Sequence, residues 1–194
     1  MTFISRTNAP DLRHVHEPVI ATYMLCLIYQ DRGGSDDPLV RSLIHAYILS
    51  NDKALRAYNL GRSLLVAYID SRNSTTTLLH ALAEFETCIS TLKRCLALAD
   101  RMAAHPANPK VDRTRRRQLD SYQQKMIRPM RDAIEHLDAD LMKIGGVPGE
   151  PQMLTIPETG DRLVVGQHEL ALDQLGAIME TVHALATQLA SQER

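Results

Sequence analysis

The feature that most constrains the fold is a long apolar stripe between residues 78 and 99. Its members, separated alternately by four and three positions, are Leu78, Leu82, Phe85, Ile89, Leu92, Leu96 and Ala99. This spacing keeps one side of an α-helix apolar over about six turns. Ser74 is a typical N-cap before the stripe, and Pro106 requires the helix to end near Ala104. Because such a helix is stabilised mainly by packing, the chain must supply other elements that cover it.

The segments before the stripe predict further helices. We predict a first helix over residues 11–29 and a break at Gly33-Gly34. The sequence Asp36-Asp37-Pro38 combines an acidic N-cap with proline in the first turn, so a second helix is predicted to begin there. Ser50-Asn51-Asp52 is predicted to cap a third helix, and Gly61 disfavours one continuous helix through this region.

The segments after the stripe predict two more helices. One covers residues 113–144 and ends at Gly145-Gly146, and Pro129 is predicted to kink or divide it. The final helix has Asp173 as a candidate cap. Its predicted buried side consists of Leu175, Ile178, Met179, Val182, Leu185 and Leu189.

A short β-hairpin is predicted between these two helices. Residues 153–156 and 162–165 are apolar and rich in β-formers, and Glu158-Thr159-Gly160-Asp161 lies between them as a turn. The fold class is therefore all-α: an up-and-down helical bundle of five to six helices, with a small hairpin before the last helix. We expect a flexible N-terminus over residues 1–10 and a single helical domain over residues 11–192.

Composition excludes several classes of protein. The chain has 194 residues, 23% of them charged, and a formal net charge of -1, which argues against a disordered acidic tail or a basic nucleic-acid coat. Its three cysteines are expected to pack in the core, and this low, odd count favours a reducing compartment. No signal peptide and no membrane segment is predicted, so the expected location is the cytoplasm. No metal or cofactor is predicted, since His14 and His16 do not share a helix face.

One segment concentrates residues suited to chemistry. Within Arg131-Asp132-Ala133-Ile134-Glu135-His136 lie a permanent cation, two carboxylates and an imidazole. An arginine offers fixed charge to a phosphate, and a histidine can transfer protons near neutral pH. Asp132 precedes His136 by four residues, so the two share a helix face and Asp132 is predicted to orient the imidazole. Together these groups are suited to cleaving a phosphodiester without a metal.

The segment resembles the HEPN superfamily, whose helical-bundle domains carry an Arg-x4–6-His motif. Arg131 and His136 match that motif. Asp132 fills the place where the family typically has a polar residue, and Glu135 precedes the histidine as in some members. The resemblance extends over the helical domain as a whole. The same spacing recurs at Arg162 and His168, but there it falls in the predicted hairpin and no acidic residue follows the arginine.

The resemblance implies a metal-independent ribonuclease, of the kind found in prokaryotic toxins and phage-defence effectors, with RNA as a partner. It implies a homodimer in which two copies of the motif meet. His136 would be general acid or base, and Arg131 would stabilise the transition state. A cognate antitoxin is a further possible partner.

A basic run near the start of the fifth predicted helix is a candidate for binding RNA phosphates. It comprises Arg113, Arg115, Arg116 and Arg117, and Arg128 follows in the same helix. The alternative is a solvated helix start with no ligand. No aromatic residue interleaves with the run, which argues against recognition by base stacking.

Two other functions remain open. Arg131 and Glu135 form an ordinary i,i+4 pair of opposite charges, so the motif is also consistent with surface charge on a non-catalytic bundle that dimerises or binds a partner. Alternatively, the chain is a nucleotide-binding accessory domain paired with a nucleotidyltransferase.

Overall fold

The computed structural model describes residues 4–15, 19–29, 37–71, 74–107, 111, 113–144 and 153–191. The elements are α1 (Val19–Tyr29), α2 (Pro38–Ser71), α3 (Thr75–Ala104), α4 (Arg113–Tyr122), a π-helical segment (Gln123–Ile127), α5 (Arg128–Ile144), β1 (Arg162–Val165), β2 (His168–Ala171) and α6 (Leu172–Ser191). The protein is thus an all-α bundle with a small hairpin before the last helix, as the sequence predicts. Within these residues, no helix combines the length and apolar character needed to cross a bilayer.

The centre of the bundle is the pair α2 and α3, which pack along their lengths. Ser74 caps α3 by accepting a hydrogen bond from the Thr77 N–H at 3.2 Å, and the helix ends at Ala104, both as predicted. The apolar stripe faces the core, with Phe85 fully buried and set edge-on to Tyr58 of α2. Cys88 and Cys95 are buried in the same core, as predicted, and burial raises the pKa of both thiols.

The helix α2 begins where Asp37 and Pro38 predict, because Asp37 Oδ1 accepts hydrogen bonds from the N–H groups of Leu39 and Val40. The prediction of a new helix at residues 50–52 is wrong, since α2 runs unbroken to Ser71. These polar residues serve other elements instead. Asp52 accepts a hydrogen bond from the first turn of α1, through the Ile20 N–H at 2.9 Å.

The chain from 113 to 144 is helical throughout, as predicted, but one stretch of it is π-helical. At its C-terminal end the Arg128 N–H donates to the Gln123 carbonyl five residues earlier. Pro129 follows directly, and its ring would clash with a carbonyl one turn back in a regular α-helix. A π turn is wider than an α turn and accommodates one extra residue. At Pro129, where the sequence predicts a kink or a division of the helix, the helix is therefore interrupted by a π turn. Gly145 and Gly146 lie outside the described residues.

The C-terminal part places α6 in the core, with all six predicted apolar positions buried. Tyr47 of α2 donates a hydrogen bond to the Val182 carbonyl at 3.0 Å, which ties α2 to α6. The hairpin differs from the prediction. Its antiparallel strands are residues 162–165 and 168–171, and residues 153–156 contribute only an isolated bridge between Thr155 and Val164. The turn between the two strands therefore lies at residues 166–167. The predicted turn before β1 is also present, where the Gly160 N–H donates to the Pro157 carbonyl at 2.9 Å, but it joins β1 only to the bridge at Thr155.

The N-terminal segment is packed rather than loose over residues 4–12. Ile4, Ala9 and Leu12 are buried although the segment has no regular helix before residue 13. Its carbonyls are held by α2: Tyr58 donates to Pro10 at 3.0 Å, and Arg62 donates to Ala9 at 2.9 Å. This corrects the flexible terminus expected for residues 1–10, of which residues 1–3 lie outside the described part. The first helix is also shorter than the predicted 11–29, since α1 begins at Val19.

Candidate functional site

The motif residues lie in the first turns of α5, immediately after the π-helical segment. Met130 is almost completely buried, which fixes the rotation of this part of α5 against the core. Arg131 and Asp132 are half-buried beside it, and Glu135 and His136 are exposed. π-helical turns are rare and occur frequently at functional sites. The local structure therefore presents the motif at a rigid, partly accessible surface.

Arg131 is engaged in ion pairs on its own helix. Its guanidinium contacts the Glu135 carboxylate one turn later, and its NH1 group lies 3.5 Å from Asp132 Oδ1. The Arg131 side chain is 26% exposed, so most of it is shielded from solvent. The i,i+4 pair considered in the sequence is thus present, and Arg131 is held along the helix surface in this state.

Asp132 is held by two further cations. Lys93 of α3 places its Nζ 3.0 Å from Asp132 Oδ1, and Arg128 places its Nε 3.4 Å from Asp132 Oδ2. Lys93 belongs to the flank of the α3 stripe, 39 positions away along the chain. The motif is therefore anchored to a second helix through its aspartate.

Five side chains form one group, which we call the α5 charge cluster. Its members are Lys93, Arg128, Arg131, Asp132 and Glu135. Three of them are cations and two are carboxylates, so the cluster has one net positive charge. That charge favours a phosphate over an uncharged ligand.

His136 is exposed and stands beside the cluster without joining it. The predicted contact from Asp132 to the imidazole is wrong: among the described residues, no hydrogen bond or ion pair links Asp132 to His136. The reason is competition, because Lys93, Arg128 and Arg131 occupy the carboxylate oxygens. The imidazole is exposed and can therefore meet a group that arrives from solvent.

The basic run of α4 is divided rather than gathered into one patch. Arg115 donates to Gln188 Oε1 of α6, and Arg116 pairs with Asp100 of α3 at 3.1 Å. Arg117 is exposed, and the side chain of Arg113 lies outside the described part of the structure. Among the candidate RNA-binding arginines whose side chains the structure describes, Arg128 alone contacts the motif. Arg115 and Arg116 thus make separate contacts with two other helices, which fits neither a common phosphate site nor a solvated helix start.

The second Arg–His spacing has a separate explanation. Arg162 begins β1 and His168 begins β2, and Arg162 pairs with Asp161 and with Glu169 on either side of the hairpin. Asp161 directly precedes Arg162 in the chain, so only the pair with Glu169 links the two strands, and neither pair involves α5. The two Arg–His pairs are thus on different elements.

The pKa of Asp132 provides a test of the cluster. Hydrogen bonding from Lys93 is the main cause that lowers the pKa of Asp132 below its usual range, and Arg128 adds to it. Because the folded pKa is depressed, ionised Asp132 favours the fold above the unfolded pKa of about 3.9, and this contribution is lost as pH falls through the folded pKa. We expect Lys93→Met to raise the Asp132 pKa in a carboxyl NMR titration. Lys53→Met, which removes an exposed lysine of α2, should leave it unchanged, and an equal midpoint in all three proteins would show that Lys93 does not hold Asp132.

Comparisons with known proteins add no relative to this picture. No model of a known protein family matches the chain, and neither the curated proteins nor the solved structures give a match. Function must accordingly be argued from the site itself.

Proposed function

We propose that this protein is a HEPN-like ribonuclease that acts without a metal, as a toxin or phage-defence effector, from a homodimer. The observation that carries the proposal is the exposure of His136 close to the cations of the α5 charge cluster. An exposed imidazole at His136 lies just over one helical turn after Arg131, and Lys93 holds this part of α5 to α3 through Asp132. The motif thus has an accessible proton-transfer group next to the cations of the α5 charge cluster.

The chemistry follows from these two groups. The RNA 2′-oxygen attacks the adjacent phosphorus, and the bond from phosphorus to the 5′-oxygen breaks, which leaves a 2′,3′-cyclic phosphate and a 5′-hydroxyl end. Either the His136 imidazole removes the proton of the 2′-hydroxyl and water protonates the leaving 5′-oxygen, or the protonated imidazole donates to the 5′-oxygen and water takes the proton of the 2′-hydroxyl. Arg131 stabilises the extra negative charge on the phosphoryl oxygens in the transition state.

A second chain explains how both groups reach one phosphate. Positions five apart on an α-helix are separated by about 140° around its axis, so Arg131 and His136 of one chain diverge. In a two-fold dimer the arginine of one protomer can face the histidine of the other. Entry of a phosphate must also draw Arg131 away from Glu135, with which it is paired in the free protein.

The proposal is tested with the purified protein and an RNA oligonucleotide in the presence of EDTA. We expect cleavage to continue in EDTA and to yield 2′,3′-cyclic phosphate ends, which mass spectrometry identifies. An oligonucleotide with 2′-O-methyl groups should stay intact, because its 2′-oxygen has no proton to lose. Cleavage that stops in EDTA, or that also cuts the methylated substrate, would contradict the mechanism.

A second candidate is a non-catalytic bundle that binds another protein chain. It is favoured by large apolar side chains on the outer surface of α2 and α3. Leu49 and Leu60 are 53% and 42% exposed, and they lie three turns apart on one side of α2; Leu79 of α3 is 47% exposed. Under this candidate Leu60→Gln impairs association, whereas substitutions of Arg131 and His136 have no effect on function.

A further inference from the structure

Three cations converge on one carboxylate at Asp132. Lys93 approaches Oδ1 at 3.0 Å, Arg131 approaches the same oxygen at 3.5 Å, and Arg128 approaches Oδ2 at 3.4 Å. Arg128 and Arg131 reach Asp132 from within α5, whereas Lys93 reaches it from α3, so the Lys93 contact is the tertiary one. Arg131 is also paired with Glu135, so two carboxylates face the three cations and one positive charge remains unbalanced.

The cations have more hydrogen-bond donors than Asp132 can use. An ammonium group has three N–H donors and a guanidinium has five, whereas a carboxylate offers two oxygens. A phosphate group offers more oxygens in a tetrahedral arrangement, and arginine binds phosphate in a fork geometry. The Arg128 side chain is 57% exposed and Asp132 is 35% exposed, so a ligand can reach them from solvent.

We propose that Lys93, Arg128 and Arg131 form a phosphate-binding clamp in which Asp132 is the resident anion. When a phosphate group enters, it takes the position of the carboxylate between the three cations, and Asp132 turns toward solvent. Asp132 then holds the three cations together when no ligand is bound. Its negative charge also weakens phosphate binding, because it competes with the phosphate for the same cations. Lys93 becomes a phosphate-binding residue supplied by α3.

The shared chemistry is a phosphate oxyanion, which is either a backbone phosphodiester of RNA or free phosphate. The assignment of the phosphate to RNA rests on the proposed function, whereas phosphate binding by the clamp does not depend on it. In the RNA case the clamp would hold a phosphate beside His136 and so place the chain for cleavage.

Binding is the direct test, measured by amide NMR shifts of α5 at pH 7 and low salt. One arm uses inorganic phosphate, and the other uses a short 2′-O-methyl oligoribonucleotide that cannot be cleaved. We expect Asp132→Asn to tighten binding about tenfold, because the competing charge is removed while the side-chain shape is kept. Adding Lys93→Met to Asp132→Asn should abolish the gain, and adding Lys93→Arg should keep most of it.

The controls separate binding from folding. Lys53→Met added to Asp132→Asn should keep the full gain, since Lys53 lines a different groove, between α2 and α3. Circular dichroism of each variant shows whether it is folded. If the variant with Lys93→Met does not fold, the variant with Lys93→Arg still tests whether a cation at this position is needed. Binding that Asp132→Asn does not tighten, or a gain that survives Lys93→Met, overturns the clamp.

The two arms also identify the source of the phosphate. Tighter binding of both probes assigns the clamp to RNA, and tighter binding of inorganic phosphate alone assigns it to free phosphate. Cleavage is measured separately with unmodified RNA, so a clamp that binds phosphate while that RNA stays uncut defeats the ribonuclease proposal alone. Cleavage without the expected tightening defeats the clamp alone.

Discussion

Replacing His136 with alanine is expected to lower RNA cleavage by about 10²- to 10⁴-fold, the usual contribution of a general acid or base. The imidazole is exposed and belongs to no ion pair of the α5 charge cluster, so the substitution removes proton transfer and leaves packing intact. The rate is measured under single-turnover conditions, with thermal unfolding of each protein recorded alongside.

The matched control is His80→Ala, because His80 is also an exposed histidine in a long helix. It should cleave at the wild-type rate. If His136→Ala cleaves as fast as His80→Ala, His136 is not the proton-transfer group, and the motif is surface charge on a non-catalytic bundle.

The second large effect is structural, and it comes from Gly160→Ala. Gly160 has φ +64°, and a Cβ placed there would overlap the carbonyl oxygen of Arg6 in the N-terminal segment. The substitution thus combines a strained left-handed backbone with a clash against main-chain atoms that cannot rotate away. We expect a loss of about 2–4 kcal/mol in the free energy of unfolding, measured by urea denaturation.

Gly166→Ala separates the two causes. Gly166 also has a positive φ, of +55°, but no atom lies within 4 Å of a Cβ built there. It should cost only the backbone strain of about 1–2 kcal/mol. Equal losses at both positions would mean that residues 4–12 do not pack against the 153–161 region as described, and the buried N-terminus would be in doubt.

Sequence periodicity predicts the parts of this fold that depend on local signals. The stripe of α3, the Ser74 cap, the Asp37-Pro38 start and the buried side of α6 are all confirmed. In α2 and α3 a capping residue stands at the correct position, whereas α6 begins at Leu172, one residue before the predicted cap Asp173, and there only the apolar spacing is predictive. Local preference and tertiary packing agree at these positions, and such agreement makes a prediction reliable.

The errors arise where tertiary contacts override local preference. Asn51 and Asp52 look like a helix cap, but they lie within α2, where Asn51 Nδ2 contacts both Asp52 and His183 of α6. Gly61 is tolerated in α2 because α3 approaches closely there: a Cβ would lie 3.2 Å from the Ala81 carbonyl oxygen. The partner of β1 was missed because residues 168–171 are less apolar than residues 153–156.

The candidate site divides in the same way. Arg131, Asp132, Glu135 and His136 could be selected from the sequence, since the motif is contiguous. Lys93 could not, because its partner lies 39 positions away and a lysine on the flank of a helical stripe normally projects into solvent. The same distant contact explains why Asp132 is turned to cations and away from His136.

The central claim, that Arg131 of one subunit works with His136 of the other, is tested most directly by mixing inactive subunits. Arg131→Ala and His136→Ala chains are unfolded together, refolded and assayed for RNA cleavage, and mass spectrometry counts the mixed dimers. If each site is shared, half of the dimers are mixed and each has one intact site of two, so the mixture should recover about a quarter of wild-type activity. If mixed dimers form and the mixture stays as inactive as either variant alone, the two groups do not act across subunits and the account is wrong.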